Sequence, residues 1–320
     1  MFESILQTLV DALAVGSLYA LIALGYTMVY GILKFINFAH SDVFVIGAWT
    51  SLSVVAFLAG WAWPEGNPVP WWAGVVALPC AMLACAMTGF VIERLAYKPL
   101  RGAPRLNVLI TAIGVSLFLQ NLGQLEFLFG TKPQRMPGLL PDVHVAKIGG
   151  IPGDLTRPPV NIHLVDVVGA LTAVVLMIAL DFLVFRTKFG RAMRAVSFSP
   201  SNASLMGINV DRVISYTFVM GAVLAAAAGF LFGQKYPGLN QPAAAIWVLL
   251  GLKAFVAAVV GGIGNIRGAM LGGILIGLLE FFSARYVSSG LKDLFVFALL
   301  IVVLLVRPGG ILGSSATEKV

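Results

Sequence analysis

Long apolar runs alternate along the chain with short polar or glycine-punctuated breaks. The runs fall at about residues 6–30, 43–58, 73–93, 107–129, 164–185, 213–233, 246–262, 268–284 and 292–306. Most have the roughly 17–25 residues a helix needs to cross a hydrocarbon core. The last three are at or just below that length, so a re-entrant segment among them would turn nine crossings into eight or ten. The pattern predicts an all-α polytopic membrane helical bundle of about 8–10 transmembrane helices, with room for broken segments. It reads as one transmembrane domain over 1–320. The only charge before the first run is Glu3, with no basic residue, so the run reads as an uncleaved span. Four tryptophans and three prolines between 61 and 72 mark a membrane interface. The Pro- and Gly-rich stretch 131–163 is the longest polar loop and reads as a partly ordered lobe.

The other long interruption, 186–214, contains a short helix prescription. Ser199 suits the N-cap, Pro200 the first helical position and Gly207 a left-handed stop. Between them Ala203 and Met206 share a face at i,i+3 spacing, with Leu205 at its edge. Two turns of helix must dock on something to be stable, although the spacing equally permits an ordinary surface loop.

Composition fixes the class. Of 320 residues, 59% are hydrophobic and 11% charged, and the mean hydropathy is +0.95, which no water-soluble core requires. The net charge of +7 does not point to nucleic acid, because the cations gather at the ends of the runs. They also give an orientation. With 186–214 on the cytoplasmic side, thirteen of the 21 cations lie inside and seven outside. The inner set is Lys34, the loop cations Arg94, Lys98, Arg101 and Arg105, the five of the basic stretch, and Arg267, Arg307 and Lys319. The N-terminus then faces out and the C-terminus faces the cytoplasm. Cys80 and Cys85 read as packing residues, and the three histidines have no metal-ligand spacing.

Gly190-Arg-Ala-Met-Arg194-Ala followed by Ala203-Ser-Leu205-Met-Gly207-Ile-Asn209-Val-Asp-Arg resembles the cytoplasmic coupling segment of bacterial ABC-importer permeases. Ser17 to Gly31, Ile36-Asn-Phe-Ala-His40, Ile92-Glu-Arg-Leu-Ala-Tyr97, Ser116 to Asn121, Lys253 to Gly264 and Gly309 to Gly313 extend the resemblance over nearly the whole chain. Together they look like the first permease of the branched-chain amino-acid (Liv-type) importer. That resemblance implies several partners: two cytoplasmic ABC ATPase subunits, a second homologous permease, a periplasmic solute-binding protein and the lipid of a bacterial inner membrane. It implies coupling roles for Gly190, Arg191, Arg194, Ala203, Leu205, Met206, Gly207 and Asn209. It also makes 131–163 a periplasmic loop. Two positions depart from the family. Ser201-Asn202 stand where the broader importer pattern has Glu-Ala, so an acid that could pair with the ATPase is missing. Ser41 replaces a glycine in the first break.

The chain holds no Gly-Lys pair, hence no phosphate loop, and no hydrolytic constellation. It reads as a transport subunit that binds no cofactor itself, ATP being used by partner ATPases. The solute would be a branched-chain or related amino acid. Urea, a short amide or another small polar solute fits the same scaffold, and a stand-alone secondary transporter or channel is the reading from a different class.

Polar residues inside apolar runs are the candidates for a translocation path. Gln120, Asn121 and Gln124 fall on one helical face, suited to a zwitterion or equally to interhelical hydrogen bonding. Asn37, His40 and Asp42 in the first break, and Asn265 in the similar break near 260–268, line a path or sit in solvated turns. The two breaks echo each other weakly, as internal repeats of transporters do, although two short matches in a Gly-rich chain also arise by chance. Lys253 and Glu280 both lie within about two helical turns of the outer ends of their segments, at 1.5 Å per residue. At one depth they would neutralise each other, which favours a structural tie over a substrate contact.

Overall fold

The computed structural model describes residues 2–62, 69–140, 143–148 and 160–313. The expectations for Arg157, Lys319 and the polar tail lie outside them, as does most of the middle of the 131–163 loop. The described chain is a multi-pass helical bundle.

Helix α1 (Phe2–Leu33) is its axis and is buried along most of its length. Around it stand α2 (His40–Ala62), α8 (Val210–Lys235), α9 (Ala245–Gly261) and α10 (Ile266–Tyr286). Outside them lie α3 (Trp72–Ile92), α4 (Arg105–Gly123) and α11 (Lys292–Val306), while α5 (Leu164–Arg186) packs directly on α1 and turns its other face outward. Eight of these helices are long and apolar enough to cross a membrane; α9, with 17 residues, is shorter.

Small residues explain why α1 can sit so deep. A Cβ on Gly277 would stand 2.5 Å from Gly16 Cα, and one on Gly273 2.4 Å from Ala20 Cα. The backbones of α1 and α10 therefore touch, which replaces the missing hydrophobic drive between helices in lipid with close dispersion contact. The same device seats α8. Gly229 faces the Phe44 carbonyl, Gly47 faces Ala226 and Gly89 faces Ala222. Conversely, α3, α5 and α11 turn Leu83, Met87, Ile178, Phe182 and Leu305 outward, as a lipid-facing shell requires.

The connections gather at two ends. One carries α6 (Lys188–Phe198) and α7 (Pro200–Leu205), and is the arm end. There Ser197 Oγ donates to the Gly31 carbonyl, and the chain after α11 folds back so that Ile311 N and Leu312 N donate to Val260 O and Gly261 O at 2.9 and 3.0 Å. A Cβ on Gly31 would stand 3.8 Å from Gly264 Cα, so the two echoing breaks meet in space. The opposite end carries two small antiparallel sheets. In one, β1 (Gln134–Arg135) pairs with β4 (Gly238–Leu239); the other is the hairpin of β2 (His144–Ile148) and β3 (Val160–His163). Helix α9 runs from this loop end to the arm end, so it completes a pass despite its length.

One boundary differs from the pattern. The fourth run ends at Gly123, not near 129. Leu125 to Phe129 are apolar apart from Glu126 but form turns, closed by Gly130 at φ +76°.

Candidate functional site

The arm is built by local rules. Thr187 caps α6 by accepting from Gly190 N at 3.1 Å. Gly190 is required because a Cβ there would lie 2.0 Å from the Val184 carbonyl, where α6 folds back on α5. Met193 and Val196 face inward, while Arg191 and Arg194 face outward, Arg194 above the Phe185 ring at 5.4 Å. Ser199 Oγ accepts from Asn202 N at 3.3 Å, and Pro200 opens α7. Gly207 stops it at φ +81°, where a side chain would be strained. Asn209 caps α8 by accepting from Arg212 N at 3.0 Å.

The face that α7 offers is not the one its spacing suggested. Ala203 is only 4% exposed, because α6 and α8 cover it. Leu205 and Met206 are 84% and 83% exposed and form the apolar tip of α7, and Phe198, the last residue of α6, is 92% exposed. Phe198 escaped the sequence reading because it precedes the N-cap and belongs to α6.

Behind the arm lies a charged tie. A π turn, Glu93–Tyr97, continues α3 and places Glu93 fully inside the protein. Arg101 binds both Glu93 and Asp211, Ser215 donates to Glu93, and Lys98 Nζ stands 2.7 Å from Asp211. Arm and α3 are thus joined through the first turn of α8. The acid ending an apolar run before four cations was the available signal, and Arg101 is one of those cations, but Ser215 and Asp211 lie more than a hundred residues further on.

Asn37, His40 and Asp42 are buried, which excludes a solvated turn. Asn37 accepts from the Tyr97 hydroxyl at 2.6 Å, and Gln120 Nε2 donates to Asp42 at 3.0 Å. His40 lies edge-on to Tyr26, with ring centroids 4.8 Å apart, in the space left by Gly25. The three amides of α4 do not act as one face. Gln120 turns to α2, Asn121 is exposed and donates to its own helix at Leu117 O, and Gln124 forms the C-cap. Asn265 spends both side-chain groups on the arm end, accepting from Gly268 N and donating to Leu312 O.

At the loop end, Lys253 Nζ lies 2.7 Å from Glu280 Oε1 and 2.6 Å from Asp293. Glu280 also accepts from the Tyr19 hydroxyl at 2.7 Å and has Lys292 Nζ at 3.5 Å. The pair is thus a four-charge cluster tied to α1. It borders a cavity of about 420 Å³ whose other walls include Val15, Phe232, Trp247 and Leu250. Tyr236 also lines it. Burial, with the nearby carboxylates of Glu280, Asp11 and Asp166, pushes its hydroxyl up to about 12, so it stays a neutral donor at neutral pH. Asp293, Lys292 and Tyr19 were invisible in the sequence because each belongs to a different segment from the pair.

The sequence matches the family described as "Branched-chain amino acid transport system / permease component" over residues 8–304. It is 42% identical over 319 residues to the high-affinity branched-chain amino acid transport system permease protein LivH of Escherichia coli (strain K12), covering 100% of this chain and 99% of that protein. Identity to the corresponding high-affinity permease protein BraD of Pseudomonas aeruginosa is 43% over 323 residues, covering 98% of each. The probable branched-chain amino acid transport permease protein LivH of Methanocaldococcus jannaschii is 28% identical over 316 residues, with 94% of this chain and 90% of that protein covered.

Proposed function

The chain belongs to the branched-chain amino-acid transport permease family, and from that premise we propose that it is a membrane-spanning subunit of an ATP-driven ABC importer for branched-chain or related amino acids. It works in a bacterial inner membrane, with a second permease, two cytoplasmic ATPases and a periplasmic solute-binding protein. The observation that carries the coupling half of this reading is the exposed tip of Leu205 and Met206. An apolar tip held in place by Gly190, Ser199 and Gly207 is costly in water and suited to a groove on a partner. Since Ser201 and Asn202 offer no carboxylate, the contact is apolar and hydrogen-bonded rather than ionic.

Proteoliposomes holding this chain with its partners should accumulate labelled leucine only when ATP and the binding protein are both supplied. Leucine flux through the chain alone would point instead to a stand-alone transporter. Orientation has its own check. In a background without Cys80 and Cys85, a cysteine at Gly138 should react with an impermeant thiol reagent outside intact cells, and one at Ser201 should not. Both positions are exposed, so labelling of Ser201 would invert the orientation.

A further inference from the structure

The cluster around Lys253 is more elaborate than holding two helices together requires. Helices α9 and α10 already touch along glycine contacts, Gly261 against Gly268 and Gly272 against the Ala257 carbonyl. An apolar seam would extend that contact at less cost than buried ions, whose desolvation their attraction only partly offsets. Yet Lys253 and Glu280 are both more than nine-tenths buried, and both line the cavity.

Three features of that cavity belong together. Its charged wall carries both signs, Lys253 and Lys292 with Glu280 and its neighbour Asp293. The rest of its lining is largely apolar and partly aromatic, with Phe232, Trp247 and Leu250. Its volume of about 420 Å³ falls in the range of roughly 300–1,000 Å³ typical of small-ligand pockets. We propose that this cavity is a binding site for a zwitterionic α-amino acid with an aliphatic side chain. The carboxylate would be met by the ammonium groups of Lys253 and Lys292, the α-ammonium by Glu280, and the side chain by Trp247 and Phe232. The proposal rests on the importer reading and adds to it a site within this one chain.

The charge balance favours such a ligand. The two lysines and two acids pair with one another, and a zwitterion adds one charge of each sign, so partners are exchanged and none is left unanswered. An ion of one sign would leave a buried charge uncompensated. Tyr19 holds Glu280 by its other oxygen, Oε2, which fixes the carboxylate while Oε1 faces the lysines. The cavity lies at the end opposite the arm, the side from which a released solute would arrive.

The test uses the full chain in lipid nanodiscs and follows its thermal unfolding with L-leucine, with leucinol and with 4-methylpentanoate. L-Leucine should raise the midpoint. Each analogue lacks one charged group and should bind at least about 100-fold more weakly, because a buried polar partner is left unpaired. Ala284→Phe fills the cavity while keeping all four charges, and should abolish the shift. Lys292→Gln, at a partly exposed position, should weaken leucine binding about tenfold without threatening the fold, as loss of one charge-assisted contact does. No shift with leucine, equal shifts with all three compounds, or shifts unchanged in both variants would overturn the site. Uptake by the complete transporter separates the two readings. If the unaltered transporter accumulates leucine and both variants do so at full rate, the site is wrong and the importer stands. If the unaltered transporter accumulates none, the importer reading itself fails.

Discussion

Met206→Glu, alone or with Leu205→Glu, is expected to abolish ATP-driven uptake while the chain still inserts and accumulates in the membrane. Both side chains are more than four-fifths exposed and touch no span, so the folded chain has little to lose. What changes is the contact beyond it. A carboxylate forced into an apolar interface, at a central position, costs on the order of 2–4 kcal/mol, or roughly 30- to 1,000-fold in affinity. The ATPase should dissociate during purification, or hydrolyse ATP without responding to the binding protein. Ala203→Glu should behave differently. Its site is covered by α6 and α8, so the arm itself should loosen, with faster proteolysis between Thr187 and Asn209 as the readout. Wild-type uptake by the double variant would remove α7 from the mechanism.

Lys253→Met is expected to destabilise the chain by about 3–5 kcal/mol, because Glu280 would keep its burial and lose its closest cation. Neutralising both partners, Lys253→Met with Glu280→Gln, should recover much of that loss. Lys292 and Asp293 can then be solvated, since their side chains are 40% and 34% exposed. The charge exchange, Lys253→Glu with Glu280→Lys, should recover less than a simple pair would. It sets a glutamate where Lys253 now meets Asp293, and a lysine near Lys292. Thermal unfolding of the variants in detergent orders them. A neutral double variant no more stable than Lys253→Met would mean that the cluster is not the tie its distances describe.

What was legible in the sequence was what short-range chemistry decides. The caps of α7 are local: Ser199, Pro200 and Gly207 each act within a turn, and all three serve as their types suggest. The spans were legible because hydrocarbon thickness sets their length, and the depth of Lys253 and Glu280 followed from the same ruler. The side of α7 that faces out was not. A two-turn helix declares its faces but not which one its own chain covers, and α6 and α8 claimed Ala203. The amides of α4 failed for a related reason. That helix lies at the edge of the bundle, so only Gln120 turns toward a buried partner, Asp42. Asp211 joins Glu93 and Arg101 only through the packing of α3 on α8, which no local spacing encodes. Asn265 looked like a path residue because it is polar in an apolar run. Its two hydrogen bonds show a turn lock between the 262–265 bend and the chain after α11.

The most direct measurement is a disulfide trap at the tip of the arm. In a chain without Cys80 and Cys85, a cysteine at Met206 should cross-link to a cysteine placed in the ATPase groove, with a yield that changes between the ATP-bound and nucleotide-free states. A cysteine at Ala203 should give no product, because that position faces its own chain. Efficient cross-linking from Ala203, or none from Met206 in any nucleotide state, would contradict the account.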